Sequence, residues 1–222
     1  MVPQAISTRR FCTLSGLSGV AGVVLLVLSF AINSAPPPDP SSSELLTFGR
    51  QHFADVLWGA WLQTVGPVMI VLFAFALVHL AGATQRLAGW MTFFGATVLI
   101  TVSLIEISFY IAALNTEPVT MPLISLRVIY AVQHLYFIAG APALFLPLGI
   151  VLLRSQVLPR VYGYLALLLA VGFSALGLVY LMTVTLPAWV TAMGGVQALW
   201  WLAASIALIL RGRQLAQTNS AL

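Results

Sequence analysis

Residues 104–137 read LIEISFYIAALNTEPVTMPLISLRVIYAVQHLYF. One apolar run ends at Leu114, a polar loop carries Asn115, Thr116, Glu117 and Pro118, and a second apolar run opens near Leu126. A helix needs about 20 apolar residues to cross a bilayer, so the stretch predicts a helical hairpin that crosses it twice. Glu106 is the only carboxylate well inside an apolar run. Counting about 1.5 Å of rise per residue from the loop, Glu106 and His134 both lie roughly 12 Å inside the same membrane face. An ionisable group at that depth costs several kcal/mol unless it is paired or wet. The hairpin is therefore the expected functional site, with Arg127 or His134 as the expected partner of Glu106.

The rest of the chain extends this pattern. Of its 222 residues 61% are hydrophobic and 6% are charged, and the mean hydropathy is +1.05. A soluble domain carries roughly 25% charged residues, so the composition points to a polytopic helical membrane protein. Six apolar runs, approximately 12–33, 57–81, 87–114, 126–153, 161–186 and 188–210, predict an all-α six-transmembrane-helix bundle forming a single membrane domain over 1–222. The first run is long for a signal peptide and is read as a retained span. Ser15 with Gly19 and Ser18 with Gly22 form small-xxx-small pairs suited to close helix packing.

Between the first two runs lies the Pro-rich stretch NSAPPPDPSSS, residues 33–43. Ser41 and Glu44 have the spacing of a capping box, and the apolar positions beyond them predict a short amphipathic helix in the outer loop 34–56. Trp58 and Trp61 mark the membrane interface. Gly66-Pro67, Pro142 with Pro147, and Gly194-Gly195 predict irregular helices in spans two, four and six.

All nine basic residues are arginine. Arg9, Arg10, Arg86, Arg154, Arg160, Arg211 and Arg213 fall on one side of the predicted bundle, and Arg50 and Arg127 on the other. By the positive-inside rule both termini face the cytoplasm (N-in, C-in) in the cell, or inner, membrane. A nucleic-acid partner would need a basic patch on a soluble surface with exposed aromatics, which the pattern does not provide. Cys12 is the single cysteine, so no intramolecular disulfide and no CxxC motif exists. No cofactor is expected, because no phosphate loop, nucleophile elbow or dinucleotide fingerprint occurs. A bis-histidine haem would need facing histidines at one depth, which His52, His79 and His134 do not supply.

The corner after span four reads LLRSQVLPRVYGYL, residues 152–165. Arg154-Ser155, Leu158-Pro159-Arg160 and Gly163, after a span carrying His134, Phe137 and Gly140, resemble an uncharacterised bacterial family of six-span proteins. That family is known as a domain of unknown function with an RSxxLPRxxG-like turn between spans four and five. The resemblance implies the six-span layout and nothing about mechanism. A second motif, Arg86 and Gly89-Trp90, echoes Arg160 and Gly163-Tyr164. Interface chemistry accounts for both, with arginine at the headgroups, glycine at a close approach and an aromatic in the belt.

Ser103, Glu106 and Tyr110 share a helix face, as do Arg127, Tyr130 and His134. Gln63, Tyr180, Thr183 and Gln197 fall at overlapping depth. The expected polar cluster is thus Glu106, Tyr110, Arg127, Tyr130, His134 and Gln197. Three functions fit it. One is an outward-facing pocket that binds or passes a small solute, with Arg127 holding an anion. Another is a membrane-embedded enzyme, for which His52 and Asp55, three apart, are the weak metal-ligand candidates. The third is a structural or accessory subunit, held in register by a buried Glu106 pair. Membrane lipid is the expected partner; a small-molecule ligand and a homo- or hetero-oligomer stay open.

Overall fold

A computed structural model describes residues 4–33, 40–114, 120–180 and 188–220. The helices are α1 (Gln4–Ile32), α2 (Ser42–Gln51), α3 (Phe53–Leu80), α4 (Leu87–Ala113), α5 (Met121–Leu135), α6 (Ala141–Leu153), α7 (Arg160–Tyr180) and α8 (Ala188–Ser220). A π-helical turn, Tyr136–Gly140, joins α5 to α6 into one continuous span. Among the described residues six helical segments are long and apolar enough to cross a membrane: Thr8–Ile32, Phe53–Leu80, Leu87–Ala113, Met121–Leu153, Arg160–Val179 and Thr191–Arg213. The protein is an all-α, six-span bundle.

The helices follow one another around the bundle. α1 packs between α3 and α8, α4 packs against α3, α5 and α6, and α6 packs on α7. Small residues make the α1 contacts. A Cβ on Gly22 would come 2.7 Å from the Gly66 carbonyl oxygen, and one on Gly19 would strike Ser205 and Phe73. The Ser18 hydroxyl donates to the Met69 carbonyl at 2.8 Å. Lipid gives helices no hydrophobic drive to associate, so close backbone approach with hydrogen bonds replaces it. The core is aromatic where the spans meet. Phe73, Phe145, Phe173 and Trp201 are fully buried, and Trp200 packs edge-on to Trp201 at 4.8 Å between centroids. The outer surface is the reverse: Leu14, Phe30, Leu72, Phe94, Leu168 and Leu199 are exposed. In water such a surface would aggregate, whereas here it is the lipid-facing belt.

Local signals place most boundaries. Glu44 N–H donates to the Ser41 hydroxyl at 3.3 Å, and Ser41 N–H donates to Glu44 Oε2 at 2.8 Å, so the expected capping box starts α2. α2 stops at Gln51, and a one-residue break at His52 separates it from α3, so 53–56 belong to the second span rather than to the amphipathic helix. Span four also begins earlier than expected, at Met121, because Pro122 fits the first turn, where its missing N–H is no loss. Two expected irregularities are absent. Pro67 lies inside a continuous α3, and Gly194-Gly195 lies inside a continuous α8 facing open space. The expected irregularity in span four is present, as the π turn immediately before Pro142.

Both glycines of the echoed corner motif sit at contacts too tight for a side chain. A Cβ on Gly89 would reach 2.0 Å from the Ala83 carbonyl oxygen, and one on Gly163 would reach 2.7 Å from the Leu153 side chain. Trp90 and Tyr164 are both exposed beside them.

Candidate functional site

Glu106 points from α4 toward two neighbouring spans. Its Oε2 accepts from Gln63 Nε2 of α3 at 3.0 Å, and its Oε1 accepts from Gln133 Nε2 of α5 at 2.9 Å. Ser103, one turn earlier on α4, donates its hydroxyl to the Gln63 backbone carbonyl at 3.1 Å. Gln63 and Ser103 are buried, so the α3–α4 seam carries a fixed polar layer at this height. Gln133 Oε1 is buried and has no hydrogen-bond partner among the described residues.

Neither cation expected beside Glu106 pairs with it in this arrangement. Arg127 is exposed, and among the described residues the one ion pair is His52–Asp55. His134 directs Nδ1 at the Tyr130 backbone carbonyl, 2.6 Å away on its own helix. The reason is the azimuth of α5. Its buried positions are Pro122, Ser125, Leu126, Ile129 and Val132, a stripe at three- and four-residue spacing. That stripe carries Gln133 inward with it and turns Arg127 and Tyr130 toward the surface. The sequence signal was the stripe itself, which outranks matched depth in deciding which side chains meet.

A second polar contact lies on the π turn. The Tyr136 hydroxyl donates to Gln197 Oε1 of α8 at 2.5 Å, while the ring packs edge-on to Phe173 at 5.8 Å. Gly177 of α7 lies against the same turn, where a Cβ would come 3.0 Å from the Phe137 carbonyl carbon. Gln63 and Gln133 are the side chains that hold the Glu106 carboxyl, Gln197 contacts Tyr136 instead, and Tyr110 follows Glu106 by one turn of α4. Tyr136 closes α5 with its N–H still bonded to the Val132 carbonyl, and its contact with Gln197, 61 residues away, has no local sequence signal. Tyr180 and Thr183, expected at similar depth, have side chains outside the described residues.

Above this layer, a cavity of about 50 Å³ lies under α2, with Leu45, Phe48 and Gly49 as its roof. Tyr110 reaches it from α4 and Asn33 from the end of α1. Space of that size admits a water molecule or two. Tyr110 stands one helical turn from Glu106 on α4. At the rim, His52 Nδ1 and Asp55 Oδ2 meet at 3.2 Å, with Asp55 exposed and His52 partly buried, and no third ligating side chain joins them among the described residues.

No family model, curated protein or solved structure matches this chain.

Proposed function

We propose that this membrane protein binds or passes a small solute that carries positive charge or several hydrogen-bond donors, at the layer formed by Glu106, Gln63 and Gln133. The observation that carries this reading is the carboxylate held by two neutral amides from two different spans. Amides orient the group without cancelling its charge. A lone carboxylate in an apolar layer is neutralised by a proton or by a bound cation, because leaving it charged and unpaired costs far more than either. Gln133 Oε1, which has no hydrogen-bond partner among the described residues, offers a further acceptor oxygen beside it. Carboxylate oxygens that each hold one neutral amide keep lone pairs that suit an ammonium group or a small hard cation. The anion reading attached to Arg127 loses its support, since that side chain is exposed away from the layer.

The π turn bears on the same site. Such turns are frequent at functional positions, and this one ends at Gly140, two residues before Pro142, and carries the Tyr136–Gln197 contact. We place the entry path at the end of the bundle closed by α2, where the small cavity leads to Tyr110. With both termini in the cytoplasm of a cell membrane, as the arginine distribution favours, that end faces outward. The resemblance of residues 152–165 to the six-span family with the RSxxLPRxxG-like turn fits the same layout.

Dicyclohexylcarbodiimide, which attacks protonated carboxyls in apolar surroundings, tests the reading. Peptide mapping should locate its adduct at Glu106, with sodium ions or a simple alkylammonium slowing the reaction. An unmodified Glu106, or modification that no cation slows, would count against a cation-accepting site.

A further inference from the structure

At the end of the bundle opposite α2, the corner between α3 and α4 faces the end of α6 across a crevice of about 290 Å³. Arg86 and Arg154 line it, with Leu87, Ala88 and Val151. We propose that this crevice holds the phosphate of an anionic membrane phospholipid.

Four observations converge on it. The two arginines come from different corners of the chain, 68 residues apart in sequence, and the fold brings both to one concavity. Neither guanidinium makes a hydrogen bond or ion pair with any described residue; guanidinium groups match phosphate oxygens in fork geometry. Arg86 is the residue preceding α4, no side chain caps that helix, and Leu87 and Ala88 of its first turn line the same crevice. Amides at a helix start bind anions, and here they add to two arginines rather than standing alone.

The fourth observation is the charge balance. Phe11 of α1 stacks edge-on with His79 of α3 at 5.5 Å, and Gly212 of α8 lies against Cys12, so both ends of the chain join this end of the bundle. Seven of the nine arginines gather there, whereas all five carboxylates lie in sequence toward the α2 end. Among the described residues no acidic side chain lines the crevice, so we assign its counter-charge to a ligand. The flanking surface favours a lipid over a free ion: Leu87 is 78% exposed and Trp90 is 59% exposed beside the crevice, as acyl chains require. Bound phosphate and bound acyl chain would then be two ends of one ligand.

The experiment uses the full chain in nanodiscs of phosphatidylcholine doped with phosphatidylglycerol, followed by native mass spectrometry of the retained lipid. The wild type should retain phosphatidylglycerol in preference to phosphatidylcholine. Arg86→Gln and Arg154→Gln should each lower that preference roughly tenfold, the size of a lost hydrogen bond to a charged group. Arg213→Gln removes the same charge away from the crevice and should leave it unchanged. Because neutral variants can insert poorly, Arg86→Lys and Arg154→Lys keep the charge and should still weaken retention, having lost the fork. Equal loss in Arg213→Gln, or full retention in the paired Gln variant, would overturn the site. Inorganic phosphate displacing the lipid at millimolar level would overturn the lipid assignment in favour of a free anion.

Discussion

Gln133 of α5 donates its side-chain amide to Glu106 Oε1 of α4 at 2.9 Å and keeps its own Oε1 buried with no partner among the described residues. The pair links two spans through a carboxyl acceptor. An ion pair at this place would cancel a carboxylate charge, whereas an amide hydrogen-bonds to the group without cancelling it. The stability and the chemistry of the bundle follow from that difference.

Glu106→Gln should cost only about 1–2 kcal/mol in thermal unfolding, because one of two hydrogen bonds survives in the isostere. A broken buried ion pair would cost about 3–5 kcal/mol. Combining Glu106→Gln with Arg127→Gln should give additive effects within about 0.5 kcal/mol. Strong coupling in that cycle would mean that Arg127 does hold the carboxylate.

Glycines separate the π turn from the open part of α8. Gly177→Ala places a methyl 3.0 Å from the Phe137 carbonyl carbon, and overpacking of this kind costs about 1–3 kcal/mol. Gly194→Ala meets nothing within 4 Å and should stabilise α8 by about 0.5–1 kcal/mol. Melting curves in detergent that rank the two the other way would refute the packing described at the π turn.

The amphipathic helix α2 should respond to pH through its cap. The Ser41 backbone N–H, and then its hydroxyl, hold the exposed Glu44 carboxyl below its ordinary value of 4.5. A depressed folded value means that the contribution is complete above about 4.5 and is lost as pH falls through the folded value. Corrected for the pH dependence of the intrinsic exchange rate, the protection of the first-turn amides should therefore fall in acid, and Ser41→Ala should produce the same loss of protection at neutral pH. Exchange indifferent to both changes would remove the capping box from the account.

Orientation is open to a direct chemical readout. Cysteines at Ser42 and Thr116 should react with an impermeant thiol reagent from outside intact cells, and cysteines at Gln85, Gln156 and Gln217 should not. Cys12 is buried and should stay silent. The reverse pattern would place the arginine-rich end outside.

The spans were legible because about 20 apolar residues between polar corners have few other fates. The capping box at Ser41 was legible because it is local chemistry. The partner of Glu106 was harder to read, since depth along a helix follows from counting but azimuth does not. Arg127 and His134 attract attention as charges, yet the buried stripe of Pro122, Ser125, Leu126, Ile129 and Val132 decides which way α5 faces. Gln133 follows that stripe. The Tyr136–Gln197 contact joins residues 61 apart with no local pattern to announce it, and no residue pattern short of Pro142 announces the π turn. Pro67 shows the opposite case: a helix breaker whose neighbours, Gly66 and Gly22, pack closely enough to keep α3 continuous.

The central claim is that Glu106 takes up a cation in place of a proton. Isothermal titration of the purified protein with an alkylammonium series and with sodium, repeated in buffers of different ionisation heat, measures cation binding and proton release together. The wild type and Arg127→Gln should bind a cation with release of a proton, and Glu106→Gln should do neither. Equal binding by Glu106→Gln, or binding lost in Arg127→Gln alone, would contradict the account.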